Sequence, residues 1–249
     1  MARPFLPGAR SWRRVPPLSL AVLGLALAAQ LAWHSRLPPP VARAEALPPA
    51  PAAAALRVLS LGDPVLGAKV LMLWLLGFDQ QPGVSLPYRS LDYARVRDWL
   101  ALALALDPRA QYPLLAASRL YAEVADPARS RVMLDFVEAS FDADPARRWP
   151  WLAHAVFLAQ HRLHDPDRAL RYARRLAEAP AAGIPGWARL LQIFVLENLG
   201  ELEAAQILLG GLLDSGQLTD AHERAFLARR LDDIAARRRD VEKSTGASD

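Results

Sequence analysis

Two apolar segments of helical period meet at Leu199-Gly200, and this junction constrains the fold more than any other part of the sequence. Residues 186–199 form the first segment, and the second, 201–209, opens with acidic residues and alanines. A glycine that follows a helix adopts the left-handed conformation at little cost. Glu201 and Glu203 would lie in the first turn of the second helix, where the helix dipole favours negative charge. The pattern predicts two antiparallel helices joined by a tight turn.

Composition extends this prediction to the whole chain. The 249 residues are 53% hydrophobic, rich in Leu and Ala and poor in β-branched residues and glycine. This balance favours an all-α protein. Cysteine is absent, which excludes disulfides, thiolate metal sites, cysteine nucleophiles and a lipoprotein cysteine.

The basic charge of the chain lies outside the predicted folded body. Residues 1–51 contain six arginines and one acidic residue, a net charge of +5, whereas residues 52–249 have a net charge of −1. Nucleic-acid-binding domains concentrate positive charge on the domain itself. The sequence therefore predicts no nucleic-acid partner.

An apolar run from Leu18 to Trp33 follows four arginines. A basic start before such a run is typical of a signal peptide or signal-anchor. The run itself is marginal for a spanning helix, which needs ~20 residues, but the segment between Arg14 and Arg36 is long enough if residues 15–17 join it. The arginine bias predicts a cytoplasmic N-terminus and an exported body. We expect residues 1–36 to be an Arg-rich start and an uncleaved single-pass anchor in the inner membrane. The alternative is cleavage near residues 42–44, which would give a secreted or periplasmic protein.

Six prolines lie within residues 37–51, which predicts a semi-rigid linker. At ~3 Å per residue it would hold the body roughly 40 Å from the membrane. Within the anchor, Gly24, Ala28 and Ala32 form a stripe at four-residue spacing, as in membrane-helix dimers. The stripe suggests a homodimer through this helix. The alternative is that exported segments are simply rich in alanine.

The body, residues 52–239, is predicted to contain helices at 52–61, 64–78, 91–106, 112–124, 128–141, 150–162 and 167–179, before the pair described above. Asp-Pro pairs such as Asp63-Pro64 are helix-start signals, with Asp as N-cap and Pro in the first turn. The very apolar segment 64–78 is short for a second span and contains Lys69, so we expect a buried core helix. The loop 79–90 is either a solvated connector or, since long loops are often functional, a partner contact.

A final helix is expected to cap the domain. It would begin at a capping box formed by Thr219 or Asp220 with Glu223 and end near Arg238. The polar tail 240–249 is expected to be disordered.

The predicted helix pairs recur at a regular interval. Their second helices begin near residues 90, 127, 166 and 201, at intervals of 37, 39 and 35 residues, which indicates an α-solenoid. The segments 164–170 and 199–205 resemble the inter-helix turn of tetratricopeptide repeats and the alanine that opens the second helix, with His164 in place of the usual glycine. The resemblance covers about residues 60–216. It implies a right-handed solenoid of about four antiparallel helix pairs that binds peptides or proteins on its concave face.

The sequence contains none of the G-x-S-x-G, P-loop or dinucleotide-binding glycine motifs. We therefore expect no catalytic residues, no cofactor and no metal. His154, His161 and His164 lie close in sequence, which leaves a metal-dependent enzyme of unfamiliar type as an alternative. His161 and His164 are also explained without a metal, because cations are favoured at a helix C-terminus.

Candidate partner-binding residues come from two patterns. If first helices line the groove, as in the resembled family, the contacts are the polar positions on those helices: Gln111, Tyr112, Arg119, His154, Gln160, Arg189, Gln192 and Asn198. The segment 147–151 adds Arg148, Trp149 and Trp151, because exposed Trp and Arg are frequent binding hot spots. Packing between repeats is the alternative for this segment. The arginines of one helix, Arg168, Arg171, Arg174 and Arg175, are either solvated or face an acidic partner or anionic lipid.

Together these patterns predict a non-enzymatic, membrane-anchored periplasmic scaffold or adaptor that mediates protein–protein interactions in the cell envelope. A chaperone-like module that captures exported peptides is an alternative, as is the metal-dependent enzyme already mentioned.

Overall fold

The computed structural model describes residues 16–37, 44–60, 62–215 and 221–246. Most of these residues are helical, as the composition predicts. The chain divides into two compact units, the first 43 residues and the remainder.

The first unit, Met1–Arg43, contains helix α1, Pro17–Arg36. With 20 residues, α1 is long and apolar enough to cross a membrane. Pro17 at its start has the fixed φ that suits a first helical turn. His34 and Arg36 lie in the last turn, where the helix dipole favours positive charge. The predicted Arg-rich start at 1–15 and the linker residues 38–43 lie outside the described residues.

The second unit, Ala44–Asp249, is built from helices and one short hairpin. Its helices are α2 (Ala53–Leu59), α3 (Pro64–Leu76), α4 (Tyr93–Leu106), α5 (Tyr112–Ala116), α6 (Pro127–Phe141), α7 (Pro145–His161), α8 (Pro166–Glu178), α9 (Gly186–Arg189), α10 (Leu191–Leu199), α11 (Leu202–Asp214) and α12 (Ala221–Gly246). Successive helices pack against each other: α3 on α4, α6 on α7, α7 on α8, α10 on α11 and α11 on α12.

Aspartates start several of these helices, as predicted. The carboxylate of Asp63 accepts hydrogen bonds from the backbone N–H groups of Val65 and Leu66, at 3.0 and 3.1 Å. Asp126 and Asp165 each accept one from the backbone N–H three residues later. These bonds satisfy donors that have no partner within the helix.

The turn at Gly200 has the predicted left-handed conformation, with φ of 79°. His164, after α7, has φ of 50° and is the one non-glycine residue with positive φ among the residues that the structure describes. It occupies the turn position where the resembled repeat has glycine. The two turns therefore share a backbone conformation despite their different residues.

Helix α7 begins at Pro145, five residues before the predicted start at Pro150. Pro150 lies inside the helix, where it cannot donate to the carbonyl of Ala146. The loss is confined to one bond near the helix start, so the helix continues. Gly183 approaches the same region so closely that a Cβ atom on it would lie 3.3 Å from the Ala146 oxygen.

The predicted helix 112–124 is shorter and irregular. Helix α5 continues into a π-helical turn, Ala117–Tyr121, and ends there. The Tyr121 ring is fully buried, and the backbone carbonyl of Tyr121 accepts a hydrogen bond from the Tyr93 hydroxyl at 3.0 Å. The predicted loop 79–90 is also more ordered than expected, because Gln80–Gln81 and Val84–Ser85 pair as an antiparallel hairpin.

The second half of the predicted linker packs on the body instead of spacing it from the membrane. Gln81 binds the backbone of Glu45 in both directions, accepting from its N–H at 2.7 Å and donating to its carbonyl at 3.0 Å. Arg95 donates to the carbonyl of Leu47, and the Trp99 indole donates to that of Pro48 at 2.9 Å. Leu47 itself is buried in the core. Proline-rich backbone has unpaired carbonyls, and these side chains satisfy them.

The buried residues form two clusters. The larger extends from Leu47 to Val195, and the smaller contains Leu190, Ile193, Leu196 and residues of α11 and α12 as far as Ile234. Helix α3 was predicted to be a buried core helix. One of its faces belongs to the larger cluster, whereas the other face is exposed.

The final helix is longer than predicted. It continues past Arg238 to Gly246, through residues expected to be disordered, because no proline or glycine interrupts it before that point. The predicted capping positions Thr219 and Asp220 lie outside the described residues.

Candidate protein-interaction surface

Three helices that carry predicted binding residues, α5, α7 and α10, are in contact in sequence order. Helix α5 and its π-helical turn contact α7, and α7 contacts α10. This contact brings several of the predicted binding residues into one region of the surface.

Gln111, the N-cap residue of α5, and Trp151 of α7 are hydrogen-bonded to each other. The Trp151 indole N–H donates to Oε1 of Gln111 at 2.8 Å, and the Trp151 ring is half-buried. Tyr112, the next residue, is more than half exposed. The structure therefore unites two predicted residues, Gln111 and Trp151, and leaves the Tyr112 ring accessible beside them.

A polar cluster lies between the π-helical turn and α7. Nε2 of His154 is 3.3 Å from Oε1 of Glu123, and the Arg162 guanidinium donates to the Glu123 carbonyl. Burial lowers the pKa of His154 below its ordinary value, and so does the charge of Arg119; the hydrogen bond with Glu123 partly opposes both. His154 is therefore neutral at neutral pH. Glu123 and Arg162 were not predicted, because nothing in their local sequence marks them.

Phe157 is an exposed aromatic residue on α7 that the sequence interpretation missed. More than half of its surface is accessible. Its ring stacks on His154, with 6.4 Å between centroids, and contacts His161 at 4.7 Å. The available signal was its position, three residues after His154, which places it on the polar side of an amphipathic helix.

Trp149 and Trp187 form a second aromatic pair. Their rings meet edge to face with 5.3 Å between centroids, an arrangement that aromatic rings favour. Trp149 is half-buried, whereas Trp187, on α9, is more than half exposed. Trp187 was not among the predicted residues.

Arg148 is buried and does not belong to this surface, contrary to the prediction. Only 5% of it is exposed. Its guanidinium donates to the carbonyl of Pro108 at 2.8 Å and to that of Ser140 near the end of α6. Burial lowers the pKa of Arg148. The side chain therefore holds two backbone segments together, and it faces inward because α7 starts early and places residue 148 inside a helical turn.

The remaining predicted residues differ in their surroundings. Arg189 donates hydrogen bonds to the backbone carbonyls of Ala177, Ala179 and Ala181, at 2.8–2.9 Å. It thereby supplies partners to carbonyl groups at the C-terminal end of α8 and just beyond it. Gln160 and Gln192 are half-buried, and Asn198 is exposed.

The arginines of α8 pair with carboxylates of α6. Arg171 donates to both oxygens of Glu138, at 3.0 and 3.3 Å. Arg168 pairs with Asp135, and Arg175 with Asp142. Three of the four arginines predicted to be solvated or to face a partner, Arg168, Arg171 and Arg175, are thus paired with carboxylates of the chain itself.

The described part of the chain contains no group of three or more histidine or acidic residues that could hold a metal ion. His154 pairs with Glu123, and His164 lies in the turn after α7. The alternative of a metal-dependent enzyme gains no geometric support in this region.

Comparison with known proteins identifies no family. No family model, no curated protein and no solved structure matches the chain. The resemblance to tetratricopeptide repeats therefore rests on the segments 164–170 and 199–205 and on the interval between helix pairs.

Proposed function

We propose that this protein is a membrane-anchored adaptor whose helical body binds a protein or peptide partner of the cell envelope. The observation that carries the proposal is a set of exposed aromatic residues on consecutive first helices: Tyr112, Phe157 and Trp187. Aromatic residues that combine an apolar ring with accessible surface are typical anchors of protein interfaces. The His154–Glu123 pair beside Phe157 adds polar groups that could orient a partner.

The proposed architecture is a right-handed tetratricopeptide-like solenoid of about four helix pairs, capped by α12. The ion pairs between α6 and α8 support it, because Asp135–Arg168, Glu138–Arg171 and Asp142–Arg175 share a sequence separation of 33 residues. A constant separation near the length of the resembled repeat, about 34 residues, is what stacked equivalent helices produce.

The proposed location is the inner membrane, with α1 as an uncleaved anchor and the body in the periplasm. The arginines before α1 favour a cytoplasmic N-terminus. Membrane fractionation combined with protease accessibility tests this placement. A body protected from external protease in spheroplasts would contradict the orientation, and a soluble periplasmic body would show that the segment is cleaved.

Site-specific photo-cross-linking tests the partner proposal. A photoreactive phenylalanine analogue replaces Phe157 in the full-length protein, and the matched control replaces Arg174, an exposed residue on the second helix α8. We expect one or a few discrete adducts from position 157 in native membranes and none from position 174. Tyr112→Ser and Trp187→Ser should weaken the adduct at position 157.

The pattern of adducts separates the functional alternatives. A broad smear of heterogeneous adducts from position 157 would favour peptide capture over a dedicated adaptor. Equal labelling from positions 157 and 174, or no labelling from either, would contradict binding at this face.

A further inference from the structure

Helix α3 carries an exposed apolar face that the proposed function does not use. We define the α3 face by Leu59 of α2 and by Leu66, Val70, Leu73 and Trp74 of α3, all exposed. Leu73 is 76% exposed. An apolar cavity of about 290 Å³ lies among Leu59, Leu66, Val70 and Trp74. Leu73 borders a second, of about 490 Å³. The face is therefore a continuous apolar surface with two recesses.

Within the described residues, nothing buries this face. The opposite side of α3 is already buried through Ala68, Leu71 and Leu75, which fixes the helix in the body. A helix that is apolar on all sides normally has apolar surroundings on all sides. Large exposed apolar patches on otherwise soluble domains mark sites of interaction.

The length of the connecting chain indicates what lies near this face. Because Glu45, Leu47 and Pro48 bind to the body, residues 37–44 are all that separates the end of α1 from the first bound residue in the sequence. These eight residues reach at most about 29 Å when fully extended. If α1 is the membrane anchor, as the proposed function holds, the body cannot move farther than this from the bilayer.

The residues around the α3 face suit a bilayer surface. Trp74 has the amphipathic ring that is enriched at membrane–water interfaces. Lys69 and Arg57 are exposed beside the apolar residues, where their long stems allow the charges to reach anionic head groups. Together α2 and α3 are as apolar as a spanning segment, but they are bent by 102°.

A spanning arrangement is disfavoured. Helix α3 has 13 residues, fewer than the ~17 that a span requires. Insertion would also remove Leu71 and Leu75 from the core. Binding along the surface requires neither change. We propose that the α3 face binds the interfacial region of the lipid bilayer, so that the anchored body lies on the membrane surface.

Depth-dependent quenching in vesicles tests this proposal. The chain lacks cysteine, so Leu73→Cys gives a single labelling site for an environment-sensitive fluorophore. The matched control is Ile207→Cys on α11, another exposed apolar position (66%). The full-length proteins are reconstituted in phosphatidylcholine vesicles containing phosphatidylglycerol, with and without nitroxide-labelled lipid, and vesicle flotation is measured in parallel.

We expect the probe at position 73 to shift to shorter wavelength and to be quenched several-fold more than the probe at 207. Adding Val70→Glu to the Leu73→Cys variant should lower the quenching, because the carboxylate resists transfer into the interface. Circular dichroism confirms that the variants remain folded.

The other outcomes overturn the proposal in distinguishable ways. Flotation with equally weak quenching at both positions would leave the anchor standing and refute lipid binding by the α3 face. Energy transfer between labelled chains without lipid quenching would assign the face to a second copy. Loss of both flotation and quenching would refute the anchor together with the lipid contact.

Discussion

Glu197 of α10 is buried and accepts two hydrogen bonds from the guanidinium of Arg230 in α12, at 3.0 and 2.6 Å. Arg237, two turns further along α12, reaches the same carboxylate at 3.3 Å. Only 4% of Glu197 is exposed, whereas both arginines are partly accessible to water. Among the residues that the structure describes, α12 is therefore attached to α10 by a buried charge that Arg230 and Arg237 neutralise.

Because Glu197 is buried and its arginine partners are partly accessible to water, replacing Arg230 should destabilise the protein more than replacing Glu197. Arg230→Met leaves a buried carboxylate with one remaining partner and should cost about 2 kcal/mol, below the full penalty for an unpaired buried charge because Arg237 remains. Glu197→Met leaves arginines that water can solvate and should cost less than about 1 kcal/mol. Urea unfolding measures both, with Arg229→Met on the exposed side of α12 as control. Equal losses for the two variants would refute this account.

The lowered pKa of His154 predicts a specific pH dependence. Burial and Arg119 disfavour the charged ring in the folded state, so the unfolded state binds the proton more readily as pH falls. The folded protein should therefore lose stability from about pH 6.5 downward, and His154→Gln should lack this contribution. Unfolding curves between about pH 7.5 and about pH 5.5 measure the difference between the two proteins.

Variants of the neighbouring charges check the cause of this shift. Arg119→Met should raise the His154 pKa in an NMR titration, and Glu123→Gln should lower it further. A His154 pKa at its ordinary value in the wild-type protein would contradict the observed packing.

Substitutions at Gly200 and at His164, which both have positive φ, should change the stability in opposite directions. Gly200 has φ of 79° and no atom near its missing side chain, so Gly200→Ala should destabilise by about 1 kcal/mol through backbone strain alone. His164 adopts φ of 50° without being glycine, so His164→Gly should be neutral or stabilise by up to about 1 kcal/mol. Thermal unfolding measures both variants. Destabilisation by His164→Gly would contradict this prediction, because it would show that contacts of the His164 ring stabilise the fold by more than the backbone strain destabilises it.

The pairing between α6 and α8 predicts a modest, salt-sensitive coupling. Glu138 is mostly buried and binds Arg171 and Arg175, and its hydrogen bond to Arg171 raises the pKa of that arginine. A double-mutant cycle with Glu138→Gln and Arg171→Gln should give about 0.5–1 kcal/mol of coupling. The coupling should shrink at high salt. The pair Arg97 and Asp98, adjacent and exposed on α4, is a control that should give less.

The parts of the fold that follow from local physics were predictable. Asp63, Asp126 and Asp165 start helices because an acceptor is needed wherever a helix leaves its first N–H groups unpaired. Gly200 ends helix α10 because the glycine backbone tolerates positive φ. These features depend on a few adjacent residues, so the sequence alone defines them.

Features that depend on distant residues were not predictable. The inward position of Arg148 requires carbonyls of Pro108 and Ser140, which the fold brings near. The packed linker likewise depends on Gln81, Arg95 and Trp99. Of the candidate surface, the Gln111–Trp151 contact joins two predicted residues, whereas Trp187 resembles a core aromatic until its exposure is known.

The buried residues are divided into two clusters, and this division affects the order in which parts of the protein unfold. In helix α10, Val195 belongs to the larger cluster, whereas Ile193 and Leu196 belong to the smaller one. Helices α11 and α12 can thus open as a subglobal unit while the region of Tyr112 and Phe157 stays folded. Amide protons in α12 should exchange with solvent through this smaller opening before the larger cluster unfolds.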